Sequence, residues 1–216
     1  MSPFNPENVN ETVTDTTSST ADGVTLNSEK GTFTEIIQFA LLALLIVLPI
    51  RFFVAQPFIV SGASMEDTFH TNEYLIVDQV SYYFEQPQRG DVIVFRYPLE
   101  PSKYFIKRII GLPGENISID GNVVTITNPD TDESVVLNEP YIKSMQKSTY
   151  LNETLGDHEY FVMGDNRDES SDSRTWGVLQ RDRIVGRAFL RLFPFQEAGI
   201  FPGEEKVNYE PVTSSN

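Results

Sequence analysis

The chain has 216 residues, with 16 Lys and Arg against 31 Asp and Glu, two His and no Cys. A formal net charge of −15 argues against a surface that tracks phosphates, which needs an excess of cations to displace counterions, so no nucleic-acid partner is expected. Without Cys there is no thiol nucleophile, no Cys-ligated zinc and no disulfide, while 40% apolar residues suffice for one domain with a real core plus appendages.

Residues 1–32 are rich in Ser, Thr, Asn and acid. Glu7, Glu11, Asp15, Asp22 and Glu29 face Lys30 alone in the first thirty positions, and the scattered Phe4, Val9, Val13, Val24 and Leu26 fit neither a helical nor a strand period. A disordered acidic tail is expected there. From Ile36 to Ile50 there is no charge and only Gln38 is polar, and apolar character resumes after Arg51 through Phe52, Phe53, Val54 and Ala55. As a helix, 33–55 would be about 34 Å long, enough to cross a ~30 Å hydrocarbon layer. Pro49 and Arg51 would lie near its far end, where a kink is tolerated and a guanidinium can snorkel. A core helix this apolar would leave little chain to surround it, and a cleaved signal peptide would want a basic flank and a small-x-small site directly after the run. The expectation is one uncleaved transmembrane helix, whose orientation Lys30 and Arg51 leave open because they nearly cancel.

Beyond the span the texture is β. Short apolar runs at 74–77, 92–97, 104–112, 117–119, 123–126, 134–137, 159–163 and 184–192 are separated by turn residues. Asp120-Gly121 has the chemistry of a tight hairpin turn. No long amphipathic helical pattern follows residue 60, so the fold class is mainly β, an antiparallel β-sheet or barrel-like domain over 56–194. Within it the polar stretch 115–158 reads as a smaller inserted β subdomain, and 195–216, rich in Pro, Gly, Glu and Ser, as a loose C-terminal tail.

His70 and His158 lie far apart and there is no HExxH, so neither a metal site nor a cofactor is expected. Neither His stands in a nucleophile setting of the Ser-His-Asp kind. What remains is one Ser and one Lys. SGASMEDTF, Ser61 to Phe69, puts Ser64 among small neighbours that leave backbone N–H groups accessible to an oxyanion; taken alone it reads as a plain Ser-Gly turn. In KYFIKRIIGLPGE, strand alternation puts Phe105, Lys107 and Ile109 on one face and Tyr104, Ile106, Arg108 and Ile110 on the other. A Lys between two apolar neighbours is set up for desolvation, which disfavours its ammonium form. Bringing it from ~10.4 to about 8 requires roughly 3 kcal/mol, and the neutral amine could then act as general base. Taken alone, Lys107 reads as a snorkelling Lys at a sheet edge.

Four segments in order, SGASM at 61–65, GDVIVF at 90–95, YFIKRIIGLPGE at 104–115 and GDNRDESSDSRTWG at 164–177, follow the apolar span. Together they resemble the bacterial type I signal peptidases, membrane-bound Ser/Lys proteases that remove signal peptides. The acidic segment lacks the alternating ligands, central Gly and closing Glu of a calcium loop. The resemblance implies that Ser64 is the acylating nucleophile and Lys107 the general base, with Ser170 orienting the amine. It also implies that the ion pairs Asp165–Arg108 and Asp172–Arg174 brace the site without reacting. The oxyanion hole would rest on the Ser64 backbone N–H, with the Ser61 hydroxyl as helper. The substrate would be a secretory precursor cut after small residues in an Ala-x-Ala-like pattern. Its extended chain would add beside Phe58 to Ser61, with Phe58, Val60 and Met65 as pocket walls.

The family's topology puts residues 1–32 in the cytoplasm and the β domain outside the cell membrane, in contact with lipid, and a monomer is expected. Phe69, Tyr82, Tyr83 and Phe84 are expected in the core rather than in lipid. Two positions depart from the family pattern: Asp67 stands where Pro is usual, and Gly62 where some members place a Ser hydroxyl. A carboxylate at 67 approaching Lys107 would raise the Lys pKa and oppose catalysis. Two alternatives are an autoproteolytic repressor-type protease, which would lack the span, and a catalytically weakened, membrane-anchored β-binding module of peptidase descent.

Overall fold

A computed structural model describes residues 29–49, 55–66, 68–142, 148–204 and 208–211, and the chain falls into two compact units, 1–43 and 44–216. Helix α1 (Glu29–Pro49) forms over a run in which Leu, a strong helix former, is the commonest residue. Its side chains from Phe33 to Leu42 are exposed and apolar on all sides apart from a few polar positions. Among the described residues no helix is long and apolar enough to cross a membrane. Residues 50–54 of the expected span, like most of the acidic tail, lie outside the described residues, and Ala55, expected at the end of the span, opens a strand instead.

The second unit is β. Its elements are β1 (Ala55–Ile59), β2 (Tyr74–Asp78), α2 (Ser81–Phe84), β3 (Val92–Arg96), β4 (Tyr104–Gly111), β5 (Asn116–Gly121), β6 (Val123–Asn128) and β7 (Glu133–Asn138). They are followed by β8 (Thr149–Thr154), β9 (Glu159–Met163), α3 (Ser173–Trp176), β10 (Leu179–Gln180), β11 (Ile184–Phe193), β12 (Gly199–Ile200) and β13 (Asn208–Pro211). One sheet runs β1-β2-β11-β3-β4-β9-β10 with β12 added to β11, and a second runs β13-β7-β6-β5-β8. Every pairing is antiparallel, as short turn-bounded strands allow.

Three buried clusters hold the sheets. Ile93, Phe95, Ile109, Tyr160, Val162 and Leu179 pack along the first sheet, and Val60, Met65, Phe69, Leu75, Val92 and Ala188 beneath the segment after β1. The third joins Ile110, Phe161 and Met163 of the first sheet to Ile117, Val124, Ile126 and Leu137 of the second, so the inserted subdomain shares its core with the larger sheet. At about 1.5–3 kcal/mol for each fully buried aliphatic or aromatic side chain, this shared cluster fixes where β4 and β9 meet the insert.

The eight strand runs read from the sequence correspond to β2, β3, β4, β5, β6, β7, β9 and β11 within two residues at each end. The hairpin differs by one position: Asp120 pairs with Val123, so the turn is Gly121-Asn122, with Gly121 at φ +64° as such turns require. Asp120 is kept extended by its second neighbour, Tyr150 of β8. Residues 195–216 are not loose throughout. A 3-10 turn at Phe195–Glu197 leads to β12, and β13 pairs with β7 from Asn208↔Asn138 to Pro211↔Val135. This order comes from an open strand edge, which composition does not reveal. Phe69 is fully buried, and Tyr82 is half-buried with its hydroxyl on Asp91 at 2.7 Å. Tyr83 and Phe84 are exposed, against the core placement expected for them.

Candidate active site

The ladder between β1 and β2 continues one step past Ile59, with Val60 N–H donating to the Glu73 carbonyl and Asn72 N–H to that of Val60, both at 2.9 Å. Gly62, at φ +101°, then turns the chain away in a conformation that side chains disfavour. Tight turns follow, with N–H groups of Glu66 on Ala63 and of Thr68 and Phe69 on Met65. Met65 and Phe69 are buried in the core below. Ser64 is thereby held at the rim with its side chain half-buried. Among the described residues its backbone N–H has no acceptor.

Strand β4 supplies the partner. Lys107 pairs across the sheet with the fully buried Ile93 and is 3% exposed. Its Nζ lies 2.7 Å from Ser64 Oγ, donates to the Ile106 carbonyl at 2.9 Å, and stands 5.3 Å from the Phe105 ring centre. Burial lowers its pKa from 10.5 to about 8, against the upward pull of the Asp172 and Asp165 carboxylates. Among the described residues no carboxylate forms an ion pair with it, so desolvation outweighs the pull of the more distant carboxylates.

The loop after β9 closes the site. Asn166 N–H donates to the Ser64 carbonyl at 3.1 Å. A Cβ at Gly164 would lie 2.3 Å from that carbonyl oxygen and 2.3 Å from Ser170 Oγ, so the loop presses backbone against backbone. Asp172 accepts from Gly164 N–H at 3.0 Å and from Arg174 Nε and Nη2, each at 2.8 Å. Burial alone would raise the Asp172 pKa, but Arg174 and Gly164 outweigh it and hold the carboxyl below the usual range. Arg108, fully buried, donates from Nε and Nη2 to the two oxygens of the equally buried Asp165 at 2.8 and 2.6 Å.

The expected pairs Asp165–Arg108 and Asp172–Arg174 are thus formed. Among the described residues Ser170 Oγ is buried with no partner at normal hydrogen-bond geometry and makes no hydrogen bond to Lys107; its polar group still contributes to the lowering of Asp172.

A cavity of about 560 Å³ opens beside the pair, lined by Phe58 to Ser64, by Lys103 to Lys107, and by Leu75, Val94, Glu169 and Ser171. Phe58 and Val60, expected as pocket walls, and Ser61, expected as an oxyanion helper, are all among its lining residues. Met65 does not: its side chain points into the core, 1% exposed, because the turn that exposes Ser64 needs a buried neighbour to anchor it. Asp67 lies outside the described residues. A similar cavity of about 530 Å³, lined by Tyr82, His158, Arg181 and others, contains neither Ser nor Lys. Among the described residues no cluster of three His, Cys, Asp or Glu could hold a metal.

Several supporting residues escaped the sequence reading. Thr68 Oγ1 donates to Asp165 at 2.6 Å. The Arg108 guanidinium lies 4.0 Å over the Tyr141 ring, whose hydroxyl donates to Glu139 at 2.6 Å. Glu139 also pairs with the buried Arg167, whose Nε reaches the Gly164 carbonyl at 3.1 Å. Arg167 sits in the quoted acidic segment and carried a signal; Tyr141 and Glu139 lie in the insert and carried none.

Chemically, a nucleophile hydroxyl, an amine biased toward neutrality, a free backbone N–H and an open apolar cavity suit acyl transfer. Residues 33–193 match the family model described as "Signal peptidase, peptidase S26". A signal peptidase I of Leptolyngbya laminosa is 38% identical over 73% of this chain and 78% of its own. The probable signal peptidase I-1 of Synechocystis sp. is 37% identical over 76% of this chain and 85% of its own. Signal peptidase I T of Bacillus subtilis is 35% identical over 80% of this chain and 92% of its own.

Proposed function

The chain belongs to the signal peptidase S26 family, and from that premise we propose that it is a membrane-anchored serine endopeptidase that removes signal peptides from secretory precursors through a Ser64/Lys107 dyad. The observation that carries the dyad is the 2.7 Å contact between Lys107 Nζ and Ser64 Oγ at the wall of an open cavity. Neutral Lys107 takes the Ser64 proton as Oγ attacks the carbonyl carbon after a small residue. The oxyanion is met by the Ser64 N–H, with the exposed Ser61 hydroxyl on the same wall as a second donor. The ammonium then protonates the leaving amine, and a water activated by the neutral amine releases the acyl group. Among the described residues β1 is an edge strand, which offers backbone pairing to an extended substrate, and Phe58 and Val60 limit side-chain size beside it. Ser170 Oγ lies beside the Gly164 backbone and would have to shift toward Lys107 on substrate binding in order to orient the amine.

Membrane anchoring rests on the uncharged run Ile36–Ile50 and on the exposed apolar side chains along α1. In the proposed arrangement the tail is cytoplasmic and the β unit lies outside the cell membrane, where the cleavage region of an inserted precursor emerges. Purified full-length protein in detergent should cleave a precursor peptide, and Ser64→Ala and Lys107→Met should each be inactive. Cleavage surviving in either variant would remove the dyad, and an inactive wild type would favour the binding module.

A further inference from the structure

Beyond β11 the chain pairs β12 against it, with Leu190 opposite Ile200, and ends its described course as β13 on the second sheet. Between those strands it passes the buried ion pair. Phe201 is fastened by its N–H on the Phe189 carbonyl at 2.7 Å. Its ring lies 5.3 Å from that of Phe189 and 4.4 Å from the Arg187 guanidinium. Two residues on, the Gly203 carbonyl accepts a hydrogen bond from Arg108 Nη1 at 2.6 Å. Gly203 is at φ +76°, and a Cβ there would lie 2.6 Å from Thr68 Cγ2 and 3.0 Å from the Phe69 ring, so only glycine brings the carbonyl so close.

A guanidinium removed from water needs its N–H groups matched, and an unmatched one is costly. Asp165 takes Nε and Nη2, while the Gly90 and Gly203 carbonyls take Nη1. Asp165 in turn accepts from Thr68, which closes the turn that carries Ser64. We propose that residues 199–204 are a positioning strap of the active site, in which the Gly203 carbonyl locks Arg108 onto Asp165 and so holds the Ser64 turn in register with Lys107. The inference rests on the Ser64/Lys107 reading above.

The charged surroundings give the strap a readout that a plain stabilising contact lacks. Lys107 feels Asp165 and Asp172, shares its cavity with Lys103 and Glu169, and sits beside loop groups neutralised by Arg174, Arg167 and Glu139. If the strap loosens and Arg108 turns outward, Asp165 acts on Lys107 less neutralised, and the rising limb of the pH–rate profile moves to higher pH.

The test compares full-length wild type, Gly203→Ala, Gly203→Ala with Thr68→Ser, and Phe201→Leu on one precursor peptide from pH 6 to 10. Serine at 68 removes the obstructing methyl and keeps the hydroxyl. Gly203→Ala should lower kcat about tenfold, the size of one charge-assisted hydrogen bond, with KM little changed, and should shift the limb upward. Thr68→Ser should recover part of both, and Phe201→Leu should show the same effects more weakly. Wild-type kcat and limb in Gly203→Ala and Phe201→Leu, even with a lowered Tm, would overturn the strap. Ser64→Ala in the same assay separates the two readings: cleavage without Ser64 refutes the nucleophile assignment and leaves the strap's effect on the limb to be read by itself.

Discussion

Lys107, the proposed base, is kept by the fold at a disadvantage. Its pKa falls from 10.5 to about 8 because it is buried, a cost of roughly 3 kcal/mol. Below pH 8 the Lys is charged both folded and unfolded, so the folded state bears the whole cost; it is relieved as pH climbs toward 10.5 and is absent above. Lys107→Met, although expected to be inactive, should therefore melt higher than wild type at pH 7 and lose that advantage near pH 10. A lower Tm at pH 7 would show that the contacts to Ser64 and Ile106 outweigh desolvation. Activity should rise with pH through about 8 as the amine deprotonates, and a flat profile from pH 6 to 10 would reject Lys107 as the base. The flanking Phe105 and Ile109 made this burial legible in the sequence. The isolation of Ser170 Oγ was not legible, because it depends on where a loop backbone comes to rest.

At the scale of elements, the site is a strand, a turn and a loop pressed together. Gly164 has no room for a side chain: its Cβ would meet the Ser64 carbonyl at 2.3 Å, and a backbone atom cannot swing aside. Gly164→Ala should displace the nucleophile and reduce kcat by about a hundredfold, as displacements near 1 Å do; unchanged kinetics would mean the loop yields freely. Asp165→Asn leaves the fully buried Arg108 without its charged partner and should cost about 3–5 kcal/mol in urea unfolding. A loss below about 1 kcal/mol, the range of exposed pairs, would show that water reaches the guanidinium. The strands were readable because their apolar runs are short and bounded by turns. β8 was not, since Thr149–Thr154 is polar and alternates half-buried with exposed positions at a sheet edge.

Over the whole molecule, the net charge of −15 is spread over a tail, an insert and a loop whose acids at the site are matched by Arg108, Arg167 and Arg174. The excess acid therefore weighs less on Lys107 than the net charge implies, because Asp165 and Asp172, which pull its pKa upward, are each paired with an arginine. The full-length chain should stay in the membrane pellet after alkaline carbonate extraction. Release into the supernatant would remove the proposed span and leave a peripheral enzyme.

By itself, the sequence determined the β character, the order of the main strands and the four segments that carry Ser64, Lys107 and the two bracing ion pairs. The strands depend on local periodicity and turn residues, whereas the roles of Ser64 and Lys107 and the two ion pairs were implied by the resemblance of four ordered segments to a known family. Only the tertiary structure decided that Met65 is core and not pocket, that Thr68, Tyr141 and Glu139 support the site, and that the C-terminal segment reaches back to Arg108. Each depends on contacts between residues far apart in the chain, such as Arg108 with Gly203. A buried donor can be satisfied by any backbone carbonyl, which leaves no mark in the residue type that provides it.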